Sequence, residues 1–171
     1  MFPILRTIGQ WLVHASAAVL VLALWGCAKM PNGPYGYVDY GQVRVGGDYI
    51  KQVDSKPGKV DPGLQPPNLL FPSDRMVFSH YPREIVFRWN PVDGTPADAQ
   101  YLFEEDFTCD DKDQKFGDWS REPEPMFAYL TGKTTLNDRF VGAQPGRWRV
   151  KLVCKSGESN WSSWKYFLFT Q

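Results

Sequence analysis

Apolar and polar positions alternate through the second half of the chain. In "REIVFRWNPVDG", Ile85, Phe87 and Trp89 fall on one side and Val86 and Arg88 on the other, and the run stops at Asn90-Pro91. "AQYLFEEDF" puts Tyr101, Phe103 and Glu105 on one face. "GRWRVKLVC" puts Trp148, Val150, Leu152 and Cys154 on one face, against Arg147, Arg149, Lys151 and Val153. "NLLFPSDRMVF" gives two short apolar pieces broken by Pro-Ser-Asp, and "SSWKYFLF" closes the chain. Side chains alternate across a strand, so each run predicts a strand with one buried face. Short strands at this spacing, with turn residues between them, predict an all-β sandwich. Parity makes Ile85, Phe87, Trp89, Tyr101, Trp148, Val150 and Leu152 the expected core.

Upstream the pattern is different. Residues 29–67 are rich in Gly, Pro and Tyr and poor in Leu, Ile and Phe, with no stretch able to bury a core alone. Such a segment reads as a solvated tether. Within it, "YGQVRVGGDYI" predicts a small hairpin over 37–50, turning at Gly46-Gly47. The aromatic alternative is a sticky segment built on Tyr35, Tyr37, Tyr40 and Tyr49. The expected division is a signal over 1–26, a lipid-anchored flexible tether over 27–65, and one sandwich domain over 66–171.

The first thirty residues open with Arg6, run through the apolar stretch Ala15–Trp25, and end on Gly26-Cys27. A charged start, a short apolar middle and a small residue before the cut build a secretory signal. The run is shorter than the roughly 20 apolar residues a span requires. Leu24-Trp25-Gly26-Cys27 resembles the lipobox of bacterial lipoproteins, with Trp25 where a small residue is usual. The resemblance implies acylation of Cys27, removal of the peptide before it, and anchoring by several acyl chains. Each buried CH₂ contributes about 0.8 kcal/mol to such anchoring. Ala28 and Lys29 carry no inner-membrane retention signal, which implies the outer membrane in a two-membrane cell. An uncleaved anchor helix and a plain secretory signal are the alternatives.

The residues from Pro66 to Thr170 together resemble a fibronectin type III domain, a branch of the immunoglobulin-like sandwiches. Pro66–Phe71 looks like its first strand and Trp89 like the core tryptophan of its second. Tyr101 looks like the core tyrosine of its third. "GAQPGRWRVKL" looks like the turn into the sixth strand, with Trp148 where tyrosine is usual, and Asn160–Phe169 looks like the last strand. "NWSSWKY" is similar to the W-S-x-W-S segment of the cytokine-receptor branch, with Lys165 in place of the second serine. The resemblance implies that Trp161 and Trp164 interleave with Arg147, Arg149 and Lys151 as a stacking ladder on the solvent side. A guanidinium over an exposed indole is worth about 0.5–1 kcal/mol.

Composition narrows the chemistry. Nineteen Lys and Arg balance nineteen acids, so no charge excess argues for nucleic acid. With Cys27 spent on lipid, Cys109 and Cys154 remain. An even count in an oxidising compartment favours a disulfide between them. In the topology that the resemblance implies they lie at opposite ends of two antiparallel neighbours, which argues for a buried Cys154 and a free Cys109, and both readings stay open. Asp111 and Asp113 resemble the start of a calcium loop, but Lys115 and Phe116 stand where that loop needs an oxygen ligand and a glycine. No metal and no cofactor is expected.

The sequence holds no Gly-x-Ser-x-Gly elbow, no paired-His motif and no phosphate-cradling loop. The mature chain would hold one histidine, His80. Glu104, Glu105 and Asp106 are adjacent carboxylates, but neighbours on a strand point to opposite faces and cannot flank one bond as glycoside hydrolysis requires. The expectation is a non-enzymatic envelope protein whose partners are the membrane, through lipid, and an unknown envelope protein. Seven tryptophans and the aromatic tether motivate a carbohydrate-binding accessory as the alternative, and a passive spacer is the third.

Overall fold

The computed structural model describes residues 39–54, 58–79, 84–108, 115–119, 127–139 and 144–170. The signal, Cys27, Tyr35, Tyr37, His80, Cys109, Asp111 and Asp113 lie outside these. Among the described residues every regular element is a strand, and no helix is long and apolar enough to cross a membrane.

Among the described residues eleven strands form two sheets. The smaller holds β3 (Leu69–Phe71), β5 (Glu84–Trp89) and β8 (Thr135–Arg139), in that order. The larger runs β1 (Asp39–Val45), β2 (Asp48–Val53), β7 (Phe127–Thr131), β6 (Gln100–Phe107), β9 (Pro145–Cys154), β11 (Lys165–Phe169) and β4 (Met76–Phe78), with β10 (Gly157–Glu158) folded back on β9. Among the described residues these strand pairings are antiparallel except β11 with β4, and a single parallel bridge joins Val60 to Glu158.

The alternating runs become the facing surfaces of the two sheets. Ile85, Phe87 and Trp89 of β5 are 1, 0 and 2% exposed, and Trp148, Val150 and Leu152 of β9 are fully buried. Phe87 meets Trp148 at 5.1 Å and Phe103 at 4.8 Å between ring centroids, and Trp89 meets Tyr101 edge-on at 5.6 Å. The small sheet's central strand therefore packs on the two central strands of the large one. Full burial of such a side chain contributes about 1.5–3 kcal/mol, and an aromatic pair adds about 0.5–1.5 kcal/mol.

The broken apolar piece at 68–78 serves both sheets. Leu69–Phe71 pairs with β5, and after a corner Met76–Phe78 runs parallel to β11. The Asp74 carboxylate accepts the Tyr166 amide at 3.0 Å, fastening the corner to β11.

Residues expected to be a flexible tether are part of the large sheet. The hairpin does turn at Gly46-Gly47, closed by Val45 opposite Asp48. It then pairs with β7 through Lys51 opposite Leu130 and Gln52 opposite Tyr129. Val45 and Ile50 enter the central core, and Val53 enters a second cluster with Leu102, Ala128, Leu130 and Val153. Gly46, at φ 63°, lies so close to the Asn137 carbonyl of β8 that a Cβ there would overlap it. One hairpin thus spans from the large sheet to the edge of the small one. Further along, Asp61 donates its amide to the Glu158 carbonyl at 2.8 Å and Glu158 donates to Lys59 at 2.9 Å. A few valines and an isoleucine at the right parity suffice to dock a segment whose average composition is that of a linker.

Candidate functional site

The outward face of β9 carries Arg147, Arg149 and Lys151 at every second position. β6 places Asp106 directly opposite Arg147 and Glu104 directly opposite Arg149. Arg147 donates to Asp106 at 2.9 Å, Arg149 to Glu104 at 2.5 Å, and Lys151 to Glu158 of β10 at 2.6 Å. Above these pairs lie three indoles. Arg147 sits 4.3 Å from the Trp119 centroid and 4.4 Å from that of Trp164. Arg149 sits 4.2 Å from Trp164 and 4.1 Å from Trp161, and Lys151 ends the stack 4.6 Å from Trp161. The order along the surface is Trp119, Arg147, Trp164, Arg149, Trp161, Lys151.

The three cations were expected on the solvent side. Instead Arg147 and Lys151 are buried, at 7 and 2% exposure, and Arg149 is partly buried. Indoles cover them from above and carboxylates neutralise them from below, and a cation withdrawn from water needs both. Burial raises the Glu104 carboxyl above its ordinary value, and Arg149, by charge and by hydrogen bond, opposes that rise.

The serines place the indoles. Ser162 donates its amide to the Val150 carbonyl and accepts the Val150 amide on its hydroxyl, both at 3.0 Å. Ser159 does the same with Leu152, at 2.9 Å each way. Each serine thus offers β9 both halves of a strand pairing, which leaves Trp161 free to lie flat across the cations. Trp119 was not anticipated, because it comes from a separate loop. Its indole N–H is fixed to the Phe116 carbonyl at 2.8 Å.

Inside the sandwich lies a second polar group. Glu105, 1% exposed, points from β6 toward Asp138 of β8 and the Tyr129 ring of β7. Burial pushes its carboxyl well above the ordinary value, and the charge and hydrogen bond of Asp138 push the same way. The Tyr129 phenol is raised by burial and by the same two acids. Glu105 and Tyr129 are buried, and Asp138 is partly exposed at the edge of the group.

Cys154 is free and buried, its Sγ 3.2 Å from the Ser156 hydroxyl and 3.3 Å from the Gly157 carbonyl. Phe107 at the end of β6 faces Gly146, at the far end of β9 from Cys154. Among the described residues no three His, Cys, Asp or Glu side chains gather as a metal site. The chain matches no known family model, and no curated protein matches it in sequence.

Proposed function

We propose that this chain is an exported lipoprotein of the bacterial envelope, a lipid anchor on Cys27 carrying a fibronectin type III-like protein-interaction module. The observation that carries the module in this reading is the strand order, while the anchor rests on the sequence around Cys27. β3-β5-β8 facing β7-β6-β9-β11 is the order that a fibronectin type III resemblance implies. The ladder lends support of another kind. Both faces of Arg147 and of Arg149 are occupied by indoles of the same chain, so these tryptophans act in stiffening the sheet. Binding is left to loops and edges, which is where sandwiches of this type present partners.

The experiment is crosslinking of the full chain in its native host, followed by detergent extraction and identification of co-purifying protein. A discrete protein at near-equal amount is the expected result; recovery of the chain alone would overturn the interaction reading. Cys27→Ser is expected to move the protein from membranes to a soluble pool. Continued membrane retention would point to an uncleaved helix.

A further inference from the structure

The hairpin that joins the large sheet also builds a groove on its outer face. Gln42 of β1 stands opposite Lys51 of β2 and Lys51 opposite Leu130 of β7, and all three line the groove. These partners form one row across the sheet, so the floor is a sheet face. The walls come from Asp98 and Gln100 at the entry to β6 and from Thr131 and Lys133 at the end of β7. Tyr49 stands at the rim with 67% of its surface exposed, whereas Tyr101 and Tyr129 are buried. The open volume is about 650 Å³, within the range of small-ligand sites.

The lining selects a chemistry. An exposed tyrosine offers an apolar ring face with a polar tip. The amides of Gln42 and Gln100 each carry two donors and an acceptor, and Asp98 adds acceptor oxygens. Adjacent hydroxyls on a pyranose ring both donate and accept, and its C–H face is apolar, so it matches this set. Charge favours a neutral ligand: Lys51 and Lys133 stand against Asp98 and Asp48, and Lys133 is 2.9 Å from Asp48. An extended peptide would need unpaired strand amides, which a floor of cross-strand partners does not present. The walls are held by paired strands and by the Asp98 carboxylate accepting the Lys155 amide at 3.0 Å, so the site is formed before a ligand arrives.

We infer that this groove is a binding site for a neutral saccharide, gripped by Tyr49 and the amides of Gln42 and Gln100. The site goes beyond the proposed interaction module and does not depend on the lipid anchor. The test is calorimetric titration of the full chain in detergent with maltohexaose, cellohexaose and chitohexaose. Saturable binding of at least one is expected, weakened about tenfold or more by Tyr49→Ala, a change of about 1.4 kcal/mol. Gln42→Ala and Gln100→Ala should each weaken it, while Arg88→Ala on the small sheet's outer face should not. Tyr49 is exposed, so its variant should melt like the parent and isolate binding from folding. Absence of saturable binding to all three sugars, or undiminished binding by Tyr49→Ala, would overturn the inference.

Discussion

Glu104 is fully buried, and its carboxylate is met by Arg149 at 2.5 Å while two indoles cover the guanidinium from outside. Removing the arginine strands the acid. Arg149→Ala should therefore cost about 3–5 kcal/mol in denaturant unfolding. Pairing it with Glu104→Gln should recover part of that loss, because the unpaired charge is gone. Arg149→Lys should fall between, since an ammonium lacks the flat faces that two indoles stack upon. Equal losses in all three variants would mean that the pair contributes no more than its bulk.

Trp89 and Trp148 fill the space between the sheets, and replacement of either by Ala should cost about 3–5 kcal/mol. Urea midpoints at constant slope measure this. A loss below about 1 kcal/mol at both sites, as at a surface position, would contradict their place in the core.

Glu105 gives the protein a defined dependence on pH. Its folded carboxyl holds its proton well above the ordinary value of 4.5, whereas the unfolded chain releases it there. Stability from this group is thus fully present below that value and falls as pH rises, until the folded carboxyl also ionises. The slope is about 1.4 kcal/mol per pH unit for one proton. Glu105→Gln should flatten the decline and raise the urea midpoint at neutral pH. An unchanged profile would show that the carboxyl ionises normally.

Gly46 tests the docking of the hairpin. Gly46→Val introduces both a side chain at positive φ and an overlap with the Asn137 carbonyl. It should destabilise by at least about 1 kcal/mol, with faster amide exchange at Lys51 and Gln52 than at β6 and β9. Unchanged exchange there would mean that β2 holds to β7 without the turn.

Much of this architecture is legible in the sequence, and the gaps have causes. Parity alone marks the inward residues of β5 and β9, because their two faces differ sharply in character, whereas β6 mixes them, with Leu102 outward and Glu105 inward. The ladder is half legible: Arg147, Arg149, Trp161 and Trp164 lie near one another in the chain, but Trp119 reaches the stack from a distant acid-rich stretch. β7 and β8 leave a weak pattern, since "FAYLT" is apolar on both faces and "TLNDR" is largely polar. Without them, nothing in the sequence says what the hairpin could pair with. Glu105 shows its inward parity, yet its partner Asp138 belongs to the other sheet, and a pairing across the core has no periodic signature.

The hairpin also moves the start of the folded unit. A fragment beginning at Pro66 would keep β3 through β11 but lose Val45 and Ile50 from the core and leave the β7 edge bare. An unprotected strand edge beside newly wetted apolar side chains is a template for self-association. The shortest soluble form of this protein should therefore begin before Asp39, and a preparation cut at the linker-like prolines should come out as aggregates.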